Sequence, residues 1–227
     1  MRQSNMGWLR SAGVAAGLLA VLSVASCGDD ASTNGFGKGP LLPLVKGNTW
    51  TYRVTDGDQV TEKTVTVGES QRIGGSGPNA DERAFLVTSE RESTTTLSFM
   101  ASLDGRIVRY RDQELSGDQV DSDTSFSPHR LYIDGTDEHT REGASWPEEF
   151  EGTVSKPGKA DETSTEREVW TVTATAEEVT VPAGTFRALV VTKAGGTKLK
   201  TYWYVRGLGK VKEIGGQIEE LLEFDVE

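Results

Sequence analysis

Acidic side chains and two histidines are the residues of this sequence that could perform chemistry. Two clusters bring such groups together within a few positions: Asp118, Asp121 and Asp123, and Asp134, Asp137, Glu138 and His139. Carboxylates and imidazoles are common metal ligands, but neither cluster has the H-E-x-x-H spacing of a zinc site or the D-x-D-x-D-G spacing of a calcium loop. Because the chain has 35 acidic residues, such clusters arise readily in solvated loops. We therefore predict acidic loops, with no metal site and no cofactor; a weak calcium site is the alternative.

The sequence lacks the arrangements typical of a nucleophilic or acid-base enzyme. It contains no G-x-S-x-G motif, and the serine nearest to a histidine, Ser127 before His129, lies in a loop signal. Glu148, Glu149 and Glu151 could supply the two carboxylates of a glycosidase, but adjacent residues of a strand point to opposite faces. We interpret this acidic segment as a loop edge and predict a non-catalytic protein. A hydrolase with an unrecognised carboxylate pair is the alternative.

The N-terminal segment differs in composition from the rest of the chain. Arg2 and Arg10 carry its only charges, and residues 12–25 are an almost unbroken run of Ala, Gly, Val and Leu. This run is shorter than the roughly 20 residues that a membrane-spanning helix needs, and it ends in small residues, as export signals do. We predict that residues 1–26 are a signal peptide that is removed after export.

The only cysteine, Cys27, directly follows this segment in the sequence Val24-Ala25-Ser26-Cys27. This sequence resembles the lipobox of bacterial lipoproteins, in which an aliphatic residue and two small residues precede an invariant cysteine. The resemblance implies that the Cys27 sulfur receives a diacylglycerol and that the new N-terminus is acylated, for instance with palmitate. Two or more acyl chains hold a protein stably in a membrane. The alternative is a secretory signal cut near residue 26, which would leave Cys27 as a free thiol.

Residues 27–40 are polar and rich in glycine, which is typical of a flexible tether between a lipid anchor and a folded domain. In the enterobacterial sorting rule, Asp directly after the lipidated cysteine retains a lipoprotein in the inner membrane. Gly28 occupies that position here and Asp29 follows it, which favours the outer membrane with the domain in the periplasm. Retention in the inner membrane, display on the cell surface and the plasma membrane of a Gram-positive cell stay open.

The chain has a net charge of −11, from 35 acidic and 24 basic residues. An acidic body repels phosphate backbones, so we predict no nucleic-acid partner. One basic group is interleaved with the aromatic residues 202–204: Lys193, Lys198, Lys200, Arg206, Lys210 and Lys212. Rings and cations in this combination can bind single-stranded nucleic acid by stacking. We interpret them instead as strands whose lysines face water and whose rings face the interior.

From about residue 41 onward, apolar residues alternate with polar ones, as in strands that bury one face. Trp50, Tyr52 and Val54, for example, alternate with threonine and arginine. The candidate strands, separated by turn signals, are 48–56, 59–68, 82–90, 93–102, 106–112, 129–134, 166–180, 185–194, 198–206, 209–214 and 217–226. We predict one all-β domain over residues 41–227, either a strongly bent antiparallel sheet or an open barrel.

Three segments of this domain carry a second resemblance. Residues 181–186, V-P-A-G-T-F, suit a hairpin because Pro182 presets φ and Gly184 can adopt a positive φ. Residues 202–212 read Y-W-Y-x-x-G-x-G-x-V-K, and residues 47–52 read G-N-x-W-x-Y. Together they resemble segments of poorly characterised exported lipoproteins of bacteria. The resemblance implies a fold similar in outline to the periplasmic carriers that escort lipoproteins to the outer membrane, and it implies no particular ligand.

Large aromatic side chains indicate where such a sheet could bind a ligand. Tyr202 and Tyr204 share one face of their strand, and Trp203 lies on the other. Because a buried tyrosine usually keeps its hydroxyl near a partner or water, we expect the tyrosines on the wetter face and Trp203 in the apolar interior. Trp50, Phe186 and Trp203 are then the candidate ligand-facing residues, unless they close a ligand-free core. We predict a membrane-anchored, non-catalytic lipoprotein of the bacterial envelope that binds an apolar ligand or a partner protein.

Overall fold

The computed structural model describes residues 39–195 and 198–227. The predicted signal peptide (1–26), the predicted lipidation site Cys27 and residues 28–38 of the predicted tether lie outside the described residues. One compact unit contains every described strand. Across 39–195 and 198–227, no helix is long and apolar enough to cross a membrane.

Antiparallel strands form the whole regular structure of the described residues, and none of these residues is helical. The strands are β1 (Thr49–Asp56), β2 (Gln59–Arg72), β3 (Arg83–Arg91), β4 (Thr94–Leu103), β5 (Arg106–Ser116), β6 (Gln119–Asp134), β7 (Ser145–Ser155), β8 (Glu162–Val181), β9 (Gly184–Gly195), β10 (Lys198–Val205), β11 (Gly209–Ile214) and β12 (Ile218–Asp225). Threonines and other β-branched residues are frequent in them, as a pleated and half-buried surface favours. The prediction of an all-β antiparallel fold is confirmed.

The sheet closes into a barrel, because β1 pairs with β12 as well as with β2. A register shift between Thr51 and Tyr52, and further shifts in other strand pairs, bend the sheet toward closure. Closure pairs the two edge strands that an open barrel would leave exposed. A barrel of twelve strands is also wider than barrels of about eight strands, in which side chains just fill the interior.

The two ends of the barrel differ in what lies against them. We call the base the end with the β6–β7 and β10–β11 connections, and the mouth the end with the β1–β2 and β11–β12 turns. The chain before β1 lies at the base, where Gly207 donates its backbone N–H to the oxygen of Pro40 at 2.8 Å. Leu41 and Leu42 are buried in the same segment. This segment therefore packs against the base of the barrel.

Strands β6 and β7 differ from the sequence-based prediction. β6 begins at Gln119, well before the predicted start at residue 129, and the acidic segment around Phe150 belongs to β7 rather than to a loop edge. Along β7, Trp146 and Phe150 are buried, whereas Pro147 and Glu149 are exposed. The pattern is hard to recognise in the sequence because a proline and three glutamates interrupt it, and proline is uncommon within strands.

The hairpin predicted from V-P-A-G-T-F is confirmed, because β8 ends at Val181 and β9 begins at Gly184. Gly184 has a φ of 139°, a conformation that favours glycine. Ala183 donates its backbone N–H to the oxygen of Leu221 at 3.0 Å. The tip of this hairpin is therefore tied to β12.

Candidate functional site

The inner face of the barrel carries lysine and tyrosine side chains side by side. On β10, Lys200, Tyr202 and Tyr204 alternate with outward residues, and the two tyrosines pair in register with Val191 and Leu189 of β9. All three β10 side chains line a cavity inside the barrel. Its volume of about 500 Å³ falls within the range of about 300–1,000 Å³ typical of ligand sites.

Along β2 and β10, the lining of this cavity changes from apolar near the base to charged near the mouth. From base to mouth, β2 contributes Val67, Val65 and Lys63, and β10 contributes Tyr204, Tyr202 and Lys200. The apolar and aromatic residues that line it near the base are Leu42, Trp50, Val67, Met100, Leu131 and Tyr204. The charged residues that line it are Lys63, Arg109, Glu114, Arg130, Lys193, Lys200, Lys210, Glu213 and Glu219. Arg109 and Lys210 pair in register with Met100 and Tyr204, so their backbones lie level with this apolar floor. Above them, the upper wall carries Lys63, Lys193 and Lys200.

Lys210 is the centre of a buried ion-pair network in the cavity wall. Its Nζ donates to Glu213 and, at 2.7 Å, to Glu219. Glu219 also accepts a hydrogen bond from Lys63, and Glu213 accepts one from Lys200 at 2.6 Å. Register brings the two carboxylates together, because Glu213 and Glu219 pair directly across β11 and β12. Three ammonium groups thus share two carboxylates.

Burial and mutual attraction oppose each other in the pKa values of this network. Burial would lower the pKa of Lys210, but Glu219 and Glu213 outweigh it and raise that pKa well above its ordinary value. Burial would raise the pKa of both glutamates, but Lys210 holds both below their ordinary value. Lys63 is less compensated, because burial and the nearby Lys210 lower its pKa to about 8.

A second ion-pair network surrounds Glu168 on β8. Arg130 and Lys193 donate to the same oxygen, Oε1, at 2.6 and 3.1 Å. The other oxygen, Oε2, is buried and has no partner among the described residues. Burial, followed by repulsion from Arg130, lowers the pKa of Lys193 to about 8. Arg130 and Lys193 therefore share one carboxylate, and both bind to the same oxygen of it.

A second cavity, also about 500 Å³, lies beside this network. Four charged residues line both cavities: Glu114, Arg130, Lys193 and Lys200. Phe126 and Phe150 line the second cavity and pack edge to face, with ring centroids 5.7 Å apart. These four residues therefore lie between two compartments of the barrel.

Stacked aromatic rings form one wall of the barrel interior. His139 stacks on Trp146 with centroids 4.0 Å apart, and Trp146, Trp170, Tyr202 and Tyr204 follow at successive spacings of 6.4, 6.0 and 6.0 Å. Lys193 lies 5.2 Å from the centre of the Trp170 ring, within the range of a cation–π contact. This wall fixes the position of the lysine.

The structure reverses the expected orientation of residues 202–204. Tyr202 and Tyr204 are buried on the inner face, whereas Trp203 lies on the outer face and donates from Nε1 to Glu177 at 2.9 Å. The expectation assumed an apolar interior. The interior instead carries charged side chains beside the two tyrosines, so it provides a polar environment for their hydroxyl groups. Trp50 lines the cavity, and Phe186 packs against Phe224 instead, with centroids 6.5 Å apart. Whether Trp50 contacts a ligand stays a prediction.

The acidic clusters noted in the sequence are not simply solvated loops. Asp134 is 1% exposed and accepts hydrogen bonds from the backbone of Thr136 at 2.9 Å and from His139 Nδ1 at 2.7 Å. Asp123 lies on β6 and pairs with Arg111. Among residues 39–195 and 198–227, no three His, Asp or Glu side chains converge as a metal site would require. These acids act as hydrogen-bond acceptors within the fold.

Sequence reasoning missed the residues of both networks. The basic group was interpreted as water-facing, yet Lys193, Lys200 and Lys210 face the cavity. The equal parity of Lys200, Tyr202 and Tyr204 was a usable signal, since it places a cation and two rings on one face. Parity alone, however, does not say which face is inside.

No protein-family model matches the chain, and no curated protein matches it significantly. One solved structure that is similar in outline belongs to a candidate exported protein with a YmcC-like fold from Bacteroides fragilis. It shares 14% identity with a TM-score of 0.41, and the match covers 84% of this chain and 99% of that chain. This distant similarity assigns no ligand, partner or activity to the chain.

Proposed function

We propose that this chain is a non-catalytic lipoprotein of the bacterial envelope that binds a largely apolar ligand inside its barrel. The observation that carries the proposal is the cavity of about 500 Å³ with an apolar floor formed by Leu42, Trp50 and Met100. A twelve-strand barrel is wider than barrels in which side chains just fill the interior, and the space that remains can hold a ligand.

The anchoring part of the proposal rests on the sequence Val24-Ala25-Ser26-Cys27. The chain would be lipidated at Cys27 and held at the outer membrane, with the barrel in the periplasm. Metabolic labelling with a radioactive fatty acid tests this part, and Cys27→Ser is the control. The wild-type chain is expected to incorporate label and the variant none. Equal labelling of the two would contradict lipid attachment at this cysteine.

The pKa directions of Glu213 and Glu219 support binding rather than catalysis. Paired carboxylates in a cleft are the feature of a glycosidase, whose general acid must keep its proton at working pH through a raised pKa. Lys210 holds both of these carboxyl groups below their ordinary pKa, so both are ionised and neither can donate a proton. A hydrolase that uses another carboxylate remains the alternative.

Native mass spectrometry of the chain purified from its own envelope tests ligand binding. We expect a co-purified apolar molecule that is released by organic extraction. Ser89→Phe would fill part of the cavity, because Ser89 lines it, whereas Thr88→Phe adds the same ring on the opposite face of β3. The co-purified mass should disappear in Ser89→Phe and persist in Thr88→Phe. Wild-type protein free of any bound molecule would contradict the proposal.

A second candidate function is the binding of another envelope protein, which the outer face near the mouth favours. Exposed aliphatic side chains form a band there: Val60, Val169, Leu199, Ile214 and Ile218. Ile214 and Ile218 pair directly, and Thr55 lies between Ile218 and Val60 in register. Contiguous exposed apolar surface often marks an interaction site.

Photo-crosslinking in intact cells distinguishes this second candidate. A photoreactive residue at position 199 or 214 should capture one defined envelope protein, and the same residue at position 51, on the outer face nearer the base, should not. Equal capture from all three positions would indicate non-specific contact.

A further inference from the structure

We infer that the ligand inside the barrel is an amphiphile with an oxyanion head group, a carboxylate or phosphate, held among the lysines of the upper wall. The inference rests on the proposed function and names the chemical class of its ligand. The head group would lie beside Lys63 on β2 or beside Lys193 on β9, which are five strand positions apart in the barrel, and the apolar chain would extend toward Leu42 and Met100 at the base.

The charge balance of the cavity is the first observation that supports this assignment. Six cationic side chains line it: Lys63, Arg109, Arg130, Lys193, Lys200 and Lys210. Five carboxylates line it or pair with those cations: Asp112, Glu114, Glu168, Glu213 and Glu219. This set has one positive charge in excess, in a chain whose overall charge is −11; Glu166, which lines only the second cavity, lies outside the set. An anion is the ligand that neutralises this excess.

The way in which carboxylates are shared is the second observation. Lys63 and Lys210 both bond to Oε2 of Glu219, and Arg130 and Lys193 both bond to Oε1 of Glu168. An ammonium group has three N–H donors, and the described hydrogen bonds use one donor each on Lys63 and Lys193. Donors therefore remain on both lysines for an oxyanion.

The burial of the two lysines is the third observation. The side chains of Lys63 and Lys193 are only 15% and 14% exposed, so water compensates their charge poorly. Charge-assisted hydrogen bonds to an oxyanion would restore what burial removes. The remaining carboxylate of the lining, Glu114, accepts a hydrogen bond from Ser122 at 3.1 Å. Its charge is already included in the excess of one cation.

The polarity gradient of the cavity then fixes the orientation of the ligand. Both lysines lie toward the mouth on their strands, whereas Val67 and Met100 lie toward the base. A molecule that satisfies both ends must be polar at one end and apolar at the other. A neutral hydrocarbon would leave the lysines uncompensated, and a small free oxyanion would leave the floor empty.

The test compares three ligands that share one chain: dodecanoic acid, dodecyl phosphate and dodecan-1-ol. Residues 28–227, which contain the compact unit, are titrated at pH 6.5 by displacement of a neutral fluorescent probe. We expect both oxyanions to bind at least about tenfold more tightly than the alcohol, as charge-assisted hydrogen bonds predict. The acid and phosphate arms distinguish a free fatty acid from a phosphorylated lipid as the preferred source.

Variants assign the preference to the two lysines. Lys63→Gln combined with Lys193→Gln should lower the affinity for both oxyanions to that for dodecan-1-ol. The matched control is Lys212→Gln, because Lys212 pairs with Glu220 on the outer face and does not line the cavity. The wild-type preference should also weaken at pH 9.5, above the pKa of about 8 of both lysines. This pH measurement uses the wild-type chain, so it tests the inference even if the double variant does not fold.

Two different failures are distinguishable. Equal affinity of the wild type for the acid, the phosphate and the alcohol would overturn the assignment of an anionic head group and leave the proposed function intact. Absence of binding by all three ligands would overturn the proposed function and this inference with it.

Discussion

Lys210 and Glu219 form an ion pair inside the barrel, with Nζ 2.7 Å from the carboxylate and side chains only 8% and 3% exposed. Neither charge has much contact with water, so Lys210 depends on Glu219 and Glu213 for compensation, and Glu219 depends on Lys210 and Lys63. Both side chains also line the cavity. The same interaction therefore concerns both the stability of the barrel and the chemistry of its cavity.

Lys210→Met should destabilise the barrel strongly. The substitution leaves Glu213 and Glu219 buried beside each other with only Lys63 and Lys200 to compensate them, and breaking a buried pair typically costs about 3–5 kcal/mol. Lys212→Met is the control, because its partner Glu220 lies at the surface, where ion pairs contribute about 1 kcal/mol or less. Urea denaturation measures both. Similar losses for the two variants would contradict a special role of the inner network.

Acid should unfold the protein through the same carboxylates. Glu213 and Glu219 have a lower pKa in the folded chain than their ordinary 4.5, so the unfolded chain takes up protons first as the pH falls. Their contribution to stability is present above about pH 4.5 and is lost as the pH falls below it. Denaturation midpoints measured between neutral pH and pH 3 should show this decline.

Glu219→Gln separates the contribution of Glu219 to acid unfolding from that of the other carboxylates. The variant should be less stable than the wild type at neutral pH and should lose less stability on acidification, because the titrating group is gone. Glu220→Gln is the matched control on the outer face. A wild-type pH slope in Glu219→Gln would show that other carboxylates cause acid unfolding.

Trp170→Ala should lower the stability of the protein more than Trp203→Ala does. Trp170 is 1% exposed within the aromatic stack, so its truncation should cost about 3–5 kcal/mol, the usual range for a large buried ring. Trp203 is half-buried on the outer face, and its truncation should cost clearly less. Chemical denaturation of both variants checks the order. A larger loss for Trp203→Ala would contradict the orientation of β10.

Gly209→Ala should disturb the contact between the β10–β11 turn and β1. Gly209 has a φ of 115°, and a Cβ there would lie 3.0 Å from Nε1 of Trp50, which donates to Leu208 O at 2.6 Å. Residues other than glycine rarely adopt this φ, so we expect the substitution to lower the free energy of unfolding by about 1–3 kcal/mol. Gly216→Ala is the control, because nothing lies within 4 Å of a Cβ at that position. Unfolding midpoints of the two variants should differ accordingly.

The alternation of Trp50, Tyr52 and Val54 was sufficient to predict β1, and Pro182 with Gly184 was sufficient to predict the β8–β9 hairpin. Both features depend on neighbours in sequence, which is why they could be read without a structure. Closure of the barrel could not, because it requires β1 to meet β12 from the other end of the chain.

The charged interior was harder to predict from the sequence, because its ion pairs also join residues that are distant in the chain. The partner of Lys63 is Glu219, 156 residues away, and no local pattern joins them. Lys200 shows the second difficulty, because a strand that alternates correctly can still be assigned with its two faces exchanged. Lysines are rarely buried without a partner, so the water-facing assignment was reasonable until the partners were known.

The location of a bound amphiphile distinguishes a ligand site inside the barrel from one on its outer surface. Dodecanoic acid with a photoreactive diazirine at the end of its chain would be bound, irradiated, and mapped by peptide mass spectrometry. We predict attachment to residues of the cavity floor, such as Leu42, Val67 and Met100. Attachment to the exposed band at Leu199 and Ile214 instead, with none inside, would contradict a ligand site within the barrel.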